Sequence, residues 1–369
     1  MSKKSKQQQG QFFTKNSKYI IGDLIEELNL PPDAKIIDPF AGDGDLLSLF
    51  PNYTQRALDV DPKNENTEKN DSLLTPVDCT DYWVITNPPW LAKNKNKEPR
   101  NAKAFEKYNT NDLYKCAMIS ILACKGGIVI VPLNFWCEEQ KSIREIFLSN
   151  FRVSKVKVFE EQVFADTTYT ACAFSFVKEP GIKAQRITFE FWKGASFDKV
   201  GRFTEGKKYL EKTWGLEVGT DFSIGQDYIE FIRAQDDSDI KVSRFTRKDK
   251  KGSNTLVLHA QDTGTDAGKI KLVREEKTYF DETPDCTDRV FAGIKITKDG
   301  QLCHLTNKEQ DTICELFNSK LNEFREQYNS MCLTNYRNST STLARKRLSF
   351  DSAYCLIKWA YREMTKQLL

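Results

Sequence analysis

The four residues Asn87-Pro88-Pro89-Trp90 are suited to binding a planar amino group. The two prolines stiffen the backbone and remove two amide donors, so the asparagine oxygen and a proline carbonyl remain as acceptors. Two such acceptors hold the hydrogens of an aromatic amine so that its lone pair points at an electrophile. The Trp90 indole could stack on the ring that carries this amine. The same residues are also compatible with a proline-stiffened turn around a buried tryptophan.

A second candidate is the turn Asp38-Pro-Phe-Ala-Gly-Asp-Gly44, which follows an apolar run and precedes a predicted helix over 45–50. Glycines let the backbone approach a ligand closely, and a helix N-terminus offers unpaired amides. Leu47 stands three positions after Gly44, so the turn departs from the dinucleotide-binding pattern Gly-x-Gly-x-x-Gly. The turn therefore favours a nucleotide-like cofactor, although it could be purely structural.

Two carboxylates further along the chain could bind other parts of such a cofactor. Asp59 lies near the end of a predicted strand, where a carboxylate can accept hydrogen bonds from both ribose hydroxyls. Asp71, in the sequence Asn-Asp-Ser, offers an acceptor for an adenine amino group. Asn-Asp-Ser is also an ordinary turn sequence, so Asp71 is the less specific candidate.

The elements that position these residues alternate between strands and helices. Apolar runs predict strands at 34–38, 56–60, 82–86, 128–133, 153–159 and 170–177, and helices at 16–28, 45–50 and 112–124. This alternation predicts an α/β fold, a doubly wound Rossmann-like sheet whose ligands bind beyond the carboxyl ends of the strands. After residue 180 the sequence becomes polar and irregular, with helices predicted at 306–328 and 349–364. We therefore expect a first domain over 1–180 and a C-terminal α+β domain over 181–369.

The order of the motifs resembles that of one enzyme class. Gly10-Gln-Phe-Phe-Thr14, then Asp38 to Gly44, then Asn87 to Trp90 follow one another as in the gamma class of N6-adenine DNA methyltransferases, which includes modification subunits of type I restriction systems. The resemblance covers about residues 10–178. It implies a methyltransferase sheet that uses S-adenosyl-L-methionine, with 181–369 as the domain that recognises the DNA target.

The resemblance also implies a role for each matching residue. The cofactor would be bound by Phe13, Thr14, Asp38, Phe40, Ala41, Gly42, Gly44, Asp59 and Asp71. Asn87, Pro88, Pro89 and Trp90 would be catalytic, and Trp90 and Phe164 would stack on an adenine that is rotated out of the duplex. The class often has proline where this chain has Lys15, and more commonly Tyr or Phe at position 90. The second departure leaves an N4-cytosine target open.

Composition sets further bounds. Two histidines, and ten cysteines without a Cys-x-x-Cys pair, make a metal site or a disulfide framework difficult to assemble. No membrane-spanning or signal segment is evident, so we expect a cytoplasmic protein of a bacterium, phage or virus. Net charge is only +3, but basic residues cluster. The clusters are Lys3, Lys4, Lys6, Lys15 and Lys18; Lys93, Lys95, Lys97, Arg100 and Lys103; Arg244, Arg247, Lys248, Lys250 and Lys251; and Arg345, Lys346 and Arg347.

Such clusters are suited to the phosphates of double-stranded DNA, although any single one could be solvated surface. A cognate restriction endonuclease is a possible partner, and the sequence leaves the choice between monomer and dimer open. An RNA methyltransferase and a protein-glutamine N-methyltransferase are alternatives, because both methylate a planar nitrogen. A catalytically idle DNA-binding module is the alternative of another class.

Overall fold

The computed structural model describes residues 10, 14–137, 142–159, 161–164, 169–197, 203–219, 226–235, 239–245, 254–262, 269–276, 291–336 and 345–367. The chain forms two compact units. The first comprises Met1–Phe222, and the second comprises Ser223–Arg337 with Leu343–Leu369.

The first unit is built on a large sheet. Its strands are β1 Lys35–Asp38, β2 Thr54–Asp59, β3 Thr67–Lys69, β4 Tyr82–Thr86, β5 Gly126–Pro132, β6 Phe151–Arg152, β7 Lys155–Phe159, β8 Ala171–Lys178, β9 Ala184–Phe197 and β10 Phe203–Gly219. Its described helices are α1 Ser17–Leu28, α2 Pro99–Tyr108, α3 Leu113–Ser120, α4 Asn134–Cys137 and α5 Ser142–Asn150.

The strand order confirms the predicted α/β class. Neighbours in the sheet run β10-β9-β7-β8-β5-β4-β1-β2-β3, and the strands from β3 to β5 are parallel. β1 lies between β2 and β4. The chain therefore adds β2 and β3 on one side of β1 and then β4 and β5 on its other side. This reversal is the topological switch point, where open α/β sheets bind their ligands.

The first unit extends beyond the predicted limit of residue 180. β9 pairs in parallel with β7, with Val156 opposite Phe189, and β10 then returns antiparallel along β9. Strand β9 therefore belongs to the first sheet. Its polar surroundings conceal this, because β10 carries many charged residues such as Lys207, Lys208 and Glu211.

Two helix predictions need correction. The segment 45–50 forms only a single 3-10 turn at Leu47–Leu49. Conversely, the polar stretch 93–103, for which no helix was predicted, includes the start of helix α2, with Pro99 in the first turn, where a proline is tolerated. Ala104 and Phe105 are buried in an apolar cluster with residues of α3, and this packing stabilises the otherwise polar helix.

Helix α1 is attached to the sheet by a buried cation. The side chain of Lys157, on β7, is fully buried, contacts the carboxylate of Asp23, and donates to the Ile20 carbonyl at 3.0 Å. Its ammonium also lies 5.1 Å from the centre of the Trp192 ring. A buried charge requires such partners, so this contact connects α1 to β7.

The second unit is α+β, as predicted. Its strands are β11 Ile240–Arg244, β12 Leu256–His259, β13 Lys271–Arg274, β14 Phe291–Lys298, β15 Gln301–Leu302, β16 Thr334–Tyr336 and β17 Arg345–Arg347. Its described helices are α6 Gln226–Arg233, α7 Asn307–Gln327 and α8 Phe350–Gln367. Helix α7 begins with a capping box between Thr306 and Glu309. In the part of the chain that the structure describes, no helix is long and apolar enough to cross a membrane.

Candidate active site

Three neighbouring strands of the first unit end at one cleft. Asp38 ends β1, Asp59 ends β2, and Asn87 directly follows β4, and all three line a cleft with an empty volume of about 630 Å³. Parallel strands place their carboxyl ends on the same edge of the sheet, which explains the convergence. The cleft is also lined by Thr14, Phe40, Ala41, Gly42, Asp43, Asp45, Leu46, Val60, Asn70, Ser72, Pro89 and Arg100.

Asp38 is the most strongly perturbed acid in this cleft. Its Oδ1 accepts hydrogen bonds from the Thr86 hydroxyl at 2.6 Å and from the Phe40 amide at 3.0 Å. Burial nevertheless raises the pKa of Asp38 to about 7, and the nearby charge of Asp59 adds to the increase. A carboxyl group in this state can become ionised when a cation binds beside it.

The Asp59 carboxylate organises the glycine turn. Oδ2 accepts from the Gly42 amide at 3.0 Å, and Oδ1 accepts from the Asp61 amide at 2.8 Å. Gly42 and Gly44 have φ angles of 53° and 84°, a region that other residues rarely adopt. The predicted turn is therefore present, and Asp59 holds it against the end of β2.

Asp71 is placed differently from the expectation. Both of its carboxylate oxygens accept hydrogen bonds from the Arg100 guanidinium, and this pairing lowers the pKa of Asp71 although burial opposes it. Its neighbours Asn70 and Ser72 line the cleft, as does Arg100, but Asp71 is not among the lining residues that the structure describes. The cause is helix α2, whose presence the sequence did not predict.

The segment before α1 holds the tetrapeptide that begins at Asn87. The Asn87 amide nitrogen donates to Thr14 Oγ1 at 3.1 Å, which leaves the carbonyl oxygen as the acceptor end of that amide. The Trp90 backbone amide donates to the Gly10 carbonyl at 3.0 Å. Phe13, also predicted to bind the cofactor, lies outside the described residues.

Asp112 holds the tetrapeptide from its other side. It is the N-cap of α3, where it accepts from the Tyr114 amide, and the same oxygen accepts from the Leu91 amide at 3.1 Å. The sequence predicted the helix but not this second contact. An aspartate directly before an apolar helical run is an N-cap signal, which could have identified Asp112 as a structural residue.

Trp90 and Phe164 come together as the resemblance implied, but they leave no gap between them. Their ring centres are 5.4 Å apart with the planes at 85°, and both side chains are almost completely buried. Two rings that enclose a flat base would have to lie roughly parallel and further apart. In this arrangement, therefore, the rings contact each other edge to face.

Among the residues that the structure describes, no group of three or more His, Cys, Asp or Glu side chains could hold a metal ion. The cysteines that the structure describes are all free thiols, and Cys79, Cys116, Cys124, Cys172 and Cys314 are buried.

Comparisons with known proteins address the same part of the chain. Three solved structures align with this chain at TM-scores below 0.5. A protein assigned as the modification subunit of a type I restriction enzyme from Vibrio vulnificus YJ016 is 14% identical, with a TM-score of 0.43 over 56% of this chain and 55% of that chain. The EcoKI M protein of a type I restriction enzyme is 12% identical, with a TM-score of 0.41 over 97% and 71%. The methyltransferase subunit of a Streptococcus thermophilus type I restriction-modification system is 13% identical, with a TM-score of 0.36 over 49% and 47%.

The chain thus spans about half the length of the Vibrio and Streptococcus proteins, and nothing further is inferred from similarities of this size. Curated protein sequences give no match. Residues 60–164, however, match the family model of the Eco57I restriction-modification methylase. This segment contains the tetrapeptide, α2, α3 and Phe164. Residues 60–164 are therefore similar to this methylase family.

Proposed function

We propose that this protein transfers a methyl group from S-adenosyl-L-methionine to N6 of adenine in double-stranded DNA. The observation that carries the proposal is the convergence of Asp38, Asp59 and Asn87 on one cleft at the switch point, in a chain whose residues 60–164 match a restriction-modification methylase family. The first two supply acids for a cofactor, and the third supplies an acceptor for an amine.

The lining of the cleft fits this cofactor. S-adenosyl-L-methionine would supply a methyl group on a sulfonium ion, so it brings positive charge. Asp38, Asp43, Asp45 and Asp59 line the cleft, and burial raises the pKa of both Asp38 and Asp45, which a bound cation would reverse. Asp59 would accept from the ribose, while Asn70, Ser72 and Arg100 lie where Asp71 was expected to act.

The tetrapeptide would hold the acceptor. Asn87 would accept one hydrogen of the target amine through its side-chain oxygen, and the Pro88 carbonyl would accept the other. Alignment of the amine with the methyl group, rather than a covalent nucleophile, would then account for the rate. Trp90 and Phe164 would have to separate before an adenine could stack between them, so base flipping and a change in these rings belong to the same step.

The second unit carries a surface suited to the DNA backbone. Arg244 and Arg347 come from basic clusters about a hundred residues apart in sequence, yet they line one cavity with an empty volume of about 680 Å³. The Arg244 guanidinium is stacked on the Phe350 ring, with 3.7 Å between its central carbon and the ring centre. Ser349 lines the same cavity, as does the acidic Asp351. Arg244, held in this way, and Arg347 in the same cavity would contact phosphates.

The test is transfer of labelled methyl to unmethylated bacterial DNA by wild type and by Asn87→Ala, followed by nucleoside analysis. We expect N6-methyladenine from wild type and a loss of at least about a hundredfold in the variant, because one acceptor of the amine is gone. Labelled N4-methylcytosine would instead move the target to cytosine. Transfer only to RNA or protein, or cofactor binding without any transfer, would overturn the proposal.

A matched control uses an asparagine outside the cleft. Asn52 is exposed in the turn before β2, so Asn52→Ala should leave both methyl transfer and cofactor affinity unchanged. Equal losses in both variants would mean that the assay reports general damage to the protein rather than the role of Asn87.

A further inference from the structure

Three hydrogen bonds connect the short segment before α1 to two other parts of the chain. The Gly10 carbonyl accepts from the Trp90 amide at 3.0 Å, and Thr14 Oγ1 accepts from the Asn87 side chain at 3.1 Å. The third bond differs in direction and target: Asn16 Nδ2 donates to the Val163 carbonyl at 2.7 Å. The segment therefore contacts the tetrapeptide and also the peptide that leads into Phe164.

The Asn16 side chain is not used for the task that its position suggests. It occupies the N-cap of α1, but its side chain makes no capping hydrogen bond, and only its backbone carbonyl accepts from Ile20. The residue is 8% exposed, and Val163 is 1% exposed, so their hydrogen bond is shielded from water. The Asn16 side chain thus makes a buried hydrogen bond instead of capping the helix, and this bond can hold the Val163 peptide in position.

Gly10 constrains the position of the Trp90 backbone, as Asn16 constrains that of Val163. Its φ is +66°, and a Cβ at this position would come within 3.0 Å of the backbone of Trp90. Only glycine allows the two backbones to lie this close. Both partners of the Trp90 and Phe164 ring contact are thus connected to the same segment.

We propose that Asn16 is a positioning residue that sets the distance between Phe164 and Trp90, and with it the width of the slot for the target base. This inference rests on the proposed function, because it assumes that the two rings bind the target base. Asn16 contacts neither ring itself. It acts through the Val163 peptide, whose carbonyl it holds from the segment that also holds Trp90.

The test compares Asn16→Asp with Asn16→Ala. Aspartate is as good an N-cap as asparagine and nearly the same shape, but it cannot donate, and its charge would repel the Val163 carbonyl. We therefore expect both variants to lower kcat for methylation of bacterial DNA about tenfold, the effect of losing one buried hydrogen bond. The KM for S-adenosyl-L-methionine should change less than about twofold, because the cleft residues are untouched.

A second readout needs no DNA. Hydrogen exchange of peptides that cover Val163 and Phe164 should be faster in Asn16→Asp, with α1 and the strands unchanged and the Tm within ~5 °C of wild type. Asn52→Asp makes the same chemical change in an exposed turn and serves as the control.

The outcomes separate this inference from the proposed function. Wild type that methylates no DNA, with faster exchange in Asn16→Asp, would contradict the function but keep the positioning contact. Normal activity in Asn16→Asp beside a slow Asn16→Ala would assign Asn16 to helix capping and overturn the inference. Unchanged exchange and kcat in both, or a Tm lowered by more than ~5 °C in Asn16→Asp, would overturn it as well.

Discussion

The two halves of the candidate site differ in how ready they are for a ligand. The cofactor half is an open cleft of about 630 Å³ whose turn is already formed around Asp59. The acceptor half is closed, because Trp90 and Phe164 contact each other and are buried. A preformed cleft can bind without rearrangement, whereas a closed slot must first be opened at a cost in free energy. We therefore expect changes in the two halves to affect different steps.

The largest effect should come from the cofactor half. Asp59→Ala removes the acceptor of the Gly42 and Asp61 amides and, on the proposed function, a ligand of the cofactor ribose, so the Kd for S-adenosyl-L-methionine should rise about a hundredfold. Isothermal titration calorimetry would measure it. Asp61→Ala, an exposed neighbour paired with Lys63, should change the Kd less than about twofold and is the control. Equal effects of the two variants would contradict a specific role for Asp59.

The next effect should be confined to the acceptor half. Phe164→Ala removes one ring of the contact with Trp90, so kcat/KM for DNA should fall roughly tenfold through lost stacking. Phe164→Leu should have a kcat/KM between those of wild type and Phe164→Ala. The cofactor Kd, measured on the same preparations, should stay constant. A cofactor Kd that rises in parallel with the loss of activity would show that the halves are not separable.

A pH titration would sharpen the distinction further. Burial raises the pKa of Asp38 to about 7, so a cation that binds beside it displaces the proton. Cofactor affinity should then increase, by up to about tenfold, as pH rises from 6 to 7, and level off above that. Asp38→Asn should remove this component, while titration of the cofactor itself is common to both proteins. An identical pH profile in the variant would contradict the assignment.

The raised pKa of Asp38 makes the stability of the fold change with pH in the opposite direction to cofactor affinity. Because the folded chain holds the Asp38 proton to a higher pH than the unfolded chain, stability from this group falls as pH rises from about 4 to about 7. Without cofactor, Asp38→Asn should therefore be more stable relative to wild type at pH 8 than at pH 5. Urea denaturation at the two pH values would measure the difference.

The smallest effect should come from the support of the tetrapeptide. Asp112→Ala removes the α3 cap and the acceptor of the Leu91 amide, which should lower the free energy of unfolding by about 1–2 kcal/mol. Asp112→Asn keeps an acceptor and should therefore retain most of the free energy of unfolding that Asp112→Ala loses. Thermal unfolding would measure both. Full stability in Asp112→Ala would mean that α3 and the tetrapeptide do not depend on this contact.

The sequence predicted the parts of this molecule that depend on local pattern. Strand ends with Asp38, Asp59 and Asn87 were located because short apolar runs and proline or glycine turns mark them. Helix α2 was missed because its stability comes from Phe105 packing against distant residues rather than from its own polar sequence. The pairing of Asp71 with Arg100 was not predicted for the same reason, because Arg100 lies on α2.

Contacts between distant segments account for the remaining errors. The first compact unit continues past residue 180, because β9 joins its sheet by pairing with β7, which composition alone does not indicate. The roles of Asp112 and Asn16 were not predicted, since each depends on a partner that periodicity cannot identify. The ring contact of Trp90 with Phe164 could be expected from the resemblance, but its closed geometry could not.

The hydrogen bonds of the acceptor half have a consequence for the order of folding. Asn16 and Val163 are 147 residues apart and Thr14 and Asn87 are 73 apart, whereas Gly42 and Asp59 are separated by only 17. Closing long loops is slower and costs more entropy than closing short ones. The cofactor cleft can therefore form early on a growing chain, while the acceptor half must wait until Phe164 has been synthesised. Incomplete chains would then lack the contact between Trp90 and Phe164.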